Sequence, residues 1–142
     1  MKKVLGVVAA ALIGALSFAA PASAADHTKS MHTGDAFGSV TGWSGEGVFT
    51  EEGDRVHICD TDADGRGVII YVYKGTPADG YVLYSMHVGG EGNCITRSAA
   101  NGGVYDLPES RVGFKFCRYW TDETGKVHAG ECKDYDFLND NS

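Results

Sequence analysis

Residues 53–73 read GDRVHICDTDADGRGVIIYVY, and this stretch decides the fold. From Arg55 to Cys59 apolar and polar residues alternate, with Val56 and Ile58 on one side. That period of two marks a half-buried strand. Residues 60–67 are polar and punctuated by glycine, the composition of a turn. Val68 to Tyr73 is then an unbroken run of β-branched and aromatic residues. The plainest reading is strand, tight loop, strand, closing as a hairpin.

Downstream, residues 68–73 and 81–88 flank the loop GTPADG and predict a second hairpin. If Val68, Ile70 and Val72 face a core, pairing sets them opposite Met86, Tyr84 and Val82. Ile69, Tyr71 and Tyr73 then form a second face, apolar enough to be covered or to bind something. Residues 89–103 are loop-rich, with Cys94 and Ile95 in a short strand. Residues 111–120 alternate strictly, with Val112, Phe114 and Phe116 inward.

Here a register can be argued. A turn centred on Thr124 and Gly125 sets Val112 against Phe137, Phe114 against Tyr135, and Lys115 against Asp134. It also sets Arg118 against Glu131 and Cys117 against Cys132. Apolar meets apolar and opposite charges meet, as cross-strand pairs prefer. A slip of one residue would turn every side chain to the wrong face. The register therefore predicts a Cys117–Cys132 bond and leaves Cys59 with Cys94. An even cysteine count in an exported chain reads as disulfides. A zinc site is the alternative, but no two cysteines have the C-x2-C spacing of a zinc knuckle.

Upstream, residues 1–24 carry the pattern of a signal peptide. Lys2 and Lys3 precede an uncharged apolar run, and Ala22-Ser23-Ala24 offers small residues for cleavage. A secreted, extracellular protein is expected. Removal of the two lysines would take the formal charge from −7 to −9. So acidic a chain repels phosphate backbones, which argues against a nucleic-acid partner. No second apolar run is long enough for a membrane span. Residues 25–38 lack periodicity and read as a mobile arm. Residues 39–142 read as one domain. Gly38 to Thr50 suggests a bent edge strand with Val40, Trp43, Val48 and Phe49 as packing residues.

Two features suggest metal. Asp60, Asp62 and Asp64, followed by Gly65, match the first half of a calcium loop. The second half fails, because Tyr71 stands where a bidentate glutamate belongs. A solvated turn rich in Asp and Gly is the alternative. Separately, cleavage after Ala24 would place His27 third in the mature chain, in reach of a square-planar copper or nickel site. No cofactor other than such a metal is indicated.

Short strands, glycine-rich turns and no helical stripe predict a small all-β antiparallel sandwich, immunoglobulin-like or Greek-key, with two disulfides. A closed barrel is the alternative. The motifs G-D-x-V-x-x-C-D at residues 53–60, A-D-G at 63–65, G-x-G-N-C at 90–94 and F-x-x-C-R at 114–118 add a likeness. Their order resembles a group of small exported, cysteine-containing proteins of actinobacteria. The resemblance implies a fold and a location and supplies no activity.

For function, His57, His87 and His128 fall on different predicted strands and read as strand-surface residues. A non-catalytic binding or interaction module is therefore the main expectation. Its partner would be an extracellular protein or a polysaccharide, met by Trp43, Tyr71, Tyr73, Tyr119 and Trp120. A flat row of aromatics would favour polysaccharide, and a protruding loop an inhibitor of a secreted hydrolase. A small secreted hydrolase would require histidines and a carboxylate to converge in one pocket.

Overall fold

The structure is a computed structural model that describes residues 27–34 and 42–140. The signal segment expected at residues 1–24 lies outside them. Among the described residues eight strands form two antiparallel four-stranded sheets. The first sheet has the order β1 (Thr28–His32), β2 (Gly45–Thr50), β3 (Arg55–Asp60), β6 (Cys94–Arg97). The second has the order β5 (Tyr81–Gly89), β4 (Gly67–Lys74), β7 (Arg111–Thr121), β8 (Val127–Leu138). The chain changes sheet after β3, after β5 and after β6, a Greek-key connectivity. The fold is a two-sheet all-β sandwich.

The core follows from the period of two. Phe49, Val56 and Ile58 of the first sheet face Val68, Ile70, Val72, Val112, Phe114 and Phe116 of the second, all fully buried. Phe49 meets Phe114 with centroids 5.1 Å apart, across the gap between the sheets. At about 25 cal/mol per Å² of apolar surface, these side chains supply the main driving force of folding.

The stretch at residues 53–73 does not close as a hairpin. β3 and β4 lie in different sheets, so residues 61–66 arch from one to the other. Local sequence cannot separate the two cases, because strand–loop–strand is the same pattern in an arch and a hairpin. What decides is partner choice. β3 takes β6, and β4 lies between β5 and β7.

The arm expected at residues 25–38 is corrected over residues 28–32, which form edge strand β1 on β2. A single core residue there, Met31, leaves no period to read. Backbone pairing to β2 holds the segment instead. β2 is consequently an inner strand and not the expected edge.

The β7–β8 register is as expected from Arg111↔Leu138 to Phe116↔Lys133. A bulge then shifts it by one, so that Arg118 faces Gly130. Glu131 sits in the bulge with φ +50°. The bulge turns its carbonyl to accept from Gly34 N–H at 2.7 Å. In the β4–β5 pair the faces are as expected except at Val82, which is exposed and not in the core, and the register is displaced by two. Val68, Ile70 and Val72 face Val88, Met86 and Tyr84, and Val82 falls past a bulge opposite Tyr73.

Both disulfides form as expected, Cys59–Cys94 and Cys117–Cys132. Each joins neighbouring strands of one sheet, β3 with β6 and β7 with β8. Neither is the inter-sheet bond of antibody domains.

Candidate functional site

The outer face of the second sheet is built from the odd positions of β4 and β7. Tyr73 and Tyr71 follow one another along β4, both half-buried. Gly67 begins the same strand, and Tyr119 lies across it. A Cβ on Gly67 would fall 2.4 Å from the Tyr119 ring, so only glycine permits this approach. Six residues at about 3.3 Å each separate Gly67 from Tyr73, a span of roughly 20 Å. His87 meets Tyr119 edge-on at 5.2 Å. Among the described residues no third sheet packs over this face, but the loop after β4 covers it at Gly113, opposite Tyr73, where an added Cβ would lie 2.7 Å from the Gly75 carbonyl and from Pro77.

At its Tyr119 end the face runs into a cleft of about 520 Å³. Gly65, Gly67, Gly89 and Gly90 leave it open, Tyr119 and Trp120 form aromatic walls, and Asp62, Glu91 and Arg66 supply charge. The Arg66 guanidinium carbon lies 4.5 Å from the Trp120 ring centroid, a cation–π contact. His128 stacks on Trp120 at 5.6 Å, and its Nε2 lies 2.7 Å from Asp122 Oδ2. The Thr124 hydroxyl, then His128, then the backbone N–H of Lys126 hold the Asp122 carboxyl well below the ordinary range.

Behind the cleft Arg118 is buried and pairs with Asp64 and Glu131. Burial alone would raise the pKa of Asp64. The N–H of Arg66, the Arg118 guanidinium and the Ser44 hydroxyl outweigh it and hold the carboxyl below its usual value. Asp60 is buried, and desolvation pushes its pKa up against donation by the backbone of Asp62 and Gly90. The charges of Asp64 and Asp62 add to the rise. The three aspartates of the calcium-like loop therefore have different duties. Asp64 neutralises Arg118, Asp62 accepts from Ser44 at 3.2 Å, and Asp60 Oδ1 accepts from the N–H of Asp62.

Among the described residues, two groups of three or more His, Cys, Asp or Glu bring their ligand atoms within 4.8 Å of one another. One is His57, Cys59 and Cys94; the other is His27, Glu51 and Asp140. His27 Nδ1 lies 2.8 Å from Glu51 Oε2, and Lys29 Nζ lies 3.4 Å from Glu51 Oε1. The copper reading of His27 also needs residues 25 and 26, which lie outside the described residues.

The five aromatic residues singled out from sequence divide into three places. Tyr119 and Trp120 line the cleft, and Tyr71 and Tyr73 share the adjoining sheet face. Trp43 lies elsewhere, stacked on His32 at 4.6 Å. His57, His87 and His128 have separate partners: Thr96, Tyr119 and Asp122. Sequence reasoning missed Arg66, because a loop arginine after a turn glycine carries no periodic signal. It also missed the glycines of β4 and β5, whose meaning depends on Tyr119 crossing them. No protein-family model, curated protein or solved structure matches the chain.

Proposed function

We propose that the protein is a secreted, non-catalytic binding module whose ligand is a polysaccharide. The chain would lie along Tyr73 and Tyr71 and enter the cleft at Tyr119 and Trp120. The observation that carries this reading is that Tyr73, Tyr71 and Tyr119 share one sheet face, which runs into a cleft lined by Tyr119 and Trp120. Sugar rings present apolar C–H faces to such rings, and their hydroxyls need the mixed donors and acceptors of Arg66, Asp62 and Glu91. Export is supported by the pattern of residues 1–24 and by cysteines that are all paired, as in oxidising compartments. The rigid scaffold fits a binding role, since two sheets and two disulfides preorganise the surface.

Affinity electrophoresis through gels containing neutral soluble glucans, xylans or chitin fragments tests the reading. At least one polysaccharide is expected to retard the wild-type protein. At about 1 kcal/mol per ring, Tyr71→Ala with Tyr73→Ala should weaken binding tenfold or more, and Trp120→Ala about fivefold. Retardation by none of these polymers, or equal retardation of the folded variants, overturns it.

A further inference from the structure

The second sheet is not the only one with an organised outer face. His57 and Cys59 are two apart on β3, so they share a face, while Ile58 between them is buried in the core. β6 sets Cys94 opposite Cys59 and Thr96 opposite His57. Thr96 Oγ1 lies 2.7 Å from His57 Nδ1, and His57 Nε2 lies 3.1 Å from Cys59 Sγ. The hydroxyl engages one ring nitrogen and so aims the other at the sulfur. An outer partner of this kind is the usual companion of a metal-binding histidine.

We propose that opening the Cys59–Cys94 bond converts His57, Cys59 and Cys94 into a site for a thiophilic metal ion, of which zinc is the representative. The three ligand atoms already lie within 4.8 Å of one another. Ligands around one tetrahedral zinc are about 3.5–3.8 Å apart, so small side-chain rotations suffice. Cys94 is exposed, which leaves the fourth position to water and gives a reductant access. Cys117 of the other bond is fully buried, and its pair belongs to no such cluster among the described residues.

The chemistry balances with a dithiol as reductant. The dithiol gives two electrons and two protons to the S–S bond and becomes a cyclic disulfide, leaving two cysteine thiols. Zinc then displaces both thiol protons to solvent and takes the lone pair of His57 Nε2. Two thiolates offset the charge of the ion. The site exists only in the reduced protein, so metal binding reports the redox state of this bond.

The test treats the full chain with limited dithiothreitol, removes the reagent without oxygen, and identifies the freed thiols by alkylation and peptide mass mapping. Zinc affinity is then measured by competition with a chromophoric chelator, and cobalt is added to read thiolate ligation in its absorption spectrum. One ion per reduced chain is expected, with two protons released and none bound by the oxidised protein. His57→Ala and Thr96→Val should each weaken binding about 10-fold to 100-fold. Thr96→Val keeps all three ligands and depends on an intact β3–β6 pair, so it separates a folded site from thiols of an unfolded chain. Equal affinity of Thr96→Val and wild type, failure of the freed thiols to bind zinc, or binding by the oxidised protein overturns the proposal.

Discussion

The Tyr135 hydroxyl accepts a hydrogen bond from the backbone N–H of His32 and donates one to the carbonyl of the same residue, each at 3.0 Å. Tyr135 is on β8 and His32 on β1, the outer strands of opposite sheets. One side chain therefore ties the sandwich along its open edge. The Gly34–Glu131 backbone bond adds a second tie. Tyr135→Phe removes both bonds to His32 and leaves two part-buried backbone groups without that partner. A loss of about 1–2 kcal/mol is expected from urea unfolding, with faster exchange of the His32 amide.

At the opposite end, Asn139 donates to Asp54 Oδ1 at 2.9 Å and to the Pro108 carbonyl at 3.2 Å. Asp54 Oδ2 accepts from Leu107 N–H at 2.8 Å. Asp54 and Asn139 are both buried. Together they fasten the β2–β3 turn, the segment before β7 and the residue after β8. Asn139→Ala leaves Asp54 Oδ1 without this donor, while the Pro108 carbonyl keeps the N–H of Ser110, and should cost about 1–3 kcal/mol, read from the shift of the urea midpoint.

Arg118 is nearly sealed from water between two partly exposed carboxylates. Removing a fully buried partner typically costs 3–5 kcal/mol; the exposure of Asp64 and Glu131 reduces this to about 2–3 kcal/mol for Arg118→Ala. The pH dependence has a fixed sign. The folded-state pKa of Asp64 is lowered, so its stabilisation is fully present above the ordinary carboxylate value and is lost as pH falls through the folded one. Unfolding at a series of pH values below about 4 should show a steep decline in wild type and a shallower one in Asp64→Asn.

Gly67→Ala sets a methyl group against the Tyr119 ring at 2.4 Å and the Val88 carbonyl at 2.6 Å. The carbonyl belongs to the neighbouring strand and cannot swing aside. A cost of about 1–3 kcal/mol is expected. Displacement of Tyr119 should appear as a shift of its ring resonances, and the proposed retardation by polysaccharide gels should weaken with it.

Reduction of both disulfides should lower the melting temperature strongly. Loop closure assigns each bond on the order of 3–4 kcal/mol, for sequence separations of 15 and 35 residues. Calorimetry with and without dithiothreitol checks this. An unchanged midpoint in protein shown to be fully reduced would mean the bonds are dispensable.

Sequence alone determined the strands with strong alternation and the pairing of β7 with β8 as far as Phe116↔Lys133, together with both cysteine partners. These are local or cross-strand properties, and a wrong register would bury charge. It also marked Tyr71, Tyr73, Tyr119 and Trp120 as surface aromatics, but not that a glycine under Tyr119 lets one row meet one cleft. Tertiary structure decided that residues 61–66 form an arch, that residues 28–32 complete a sheet, and that Glu131 bulges. Backbone pairing partners determine each of these, and hydrogen-bonding groups are the same in every residue but proline. Such choices leave no trace in the side-chain pattern.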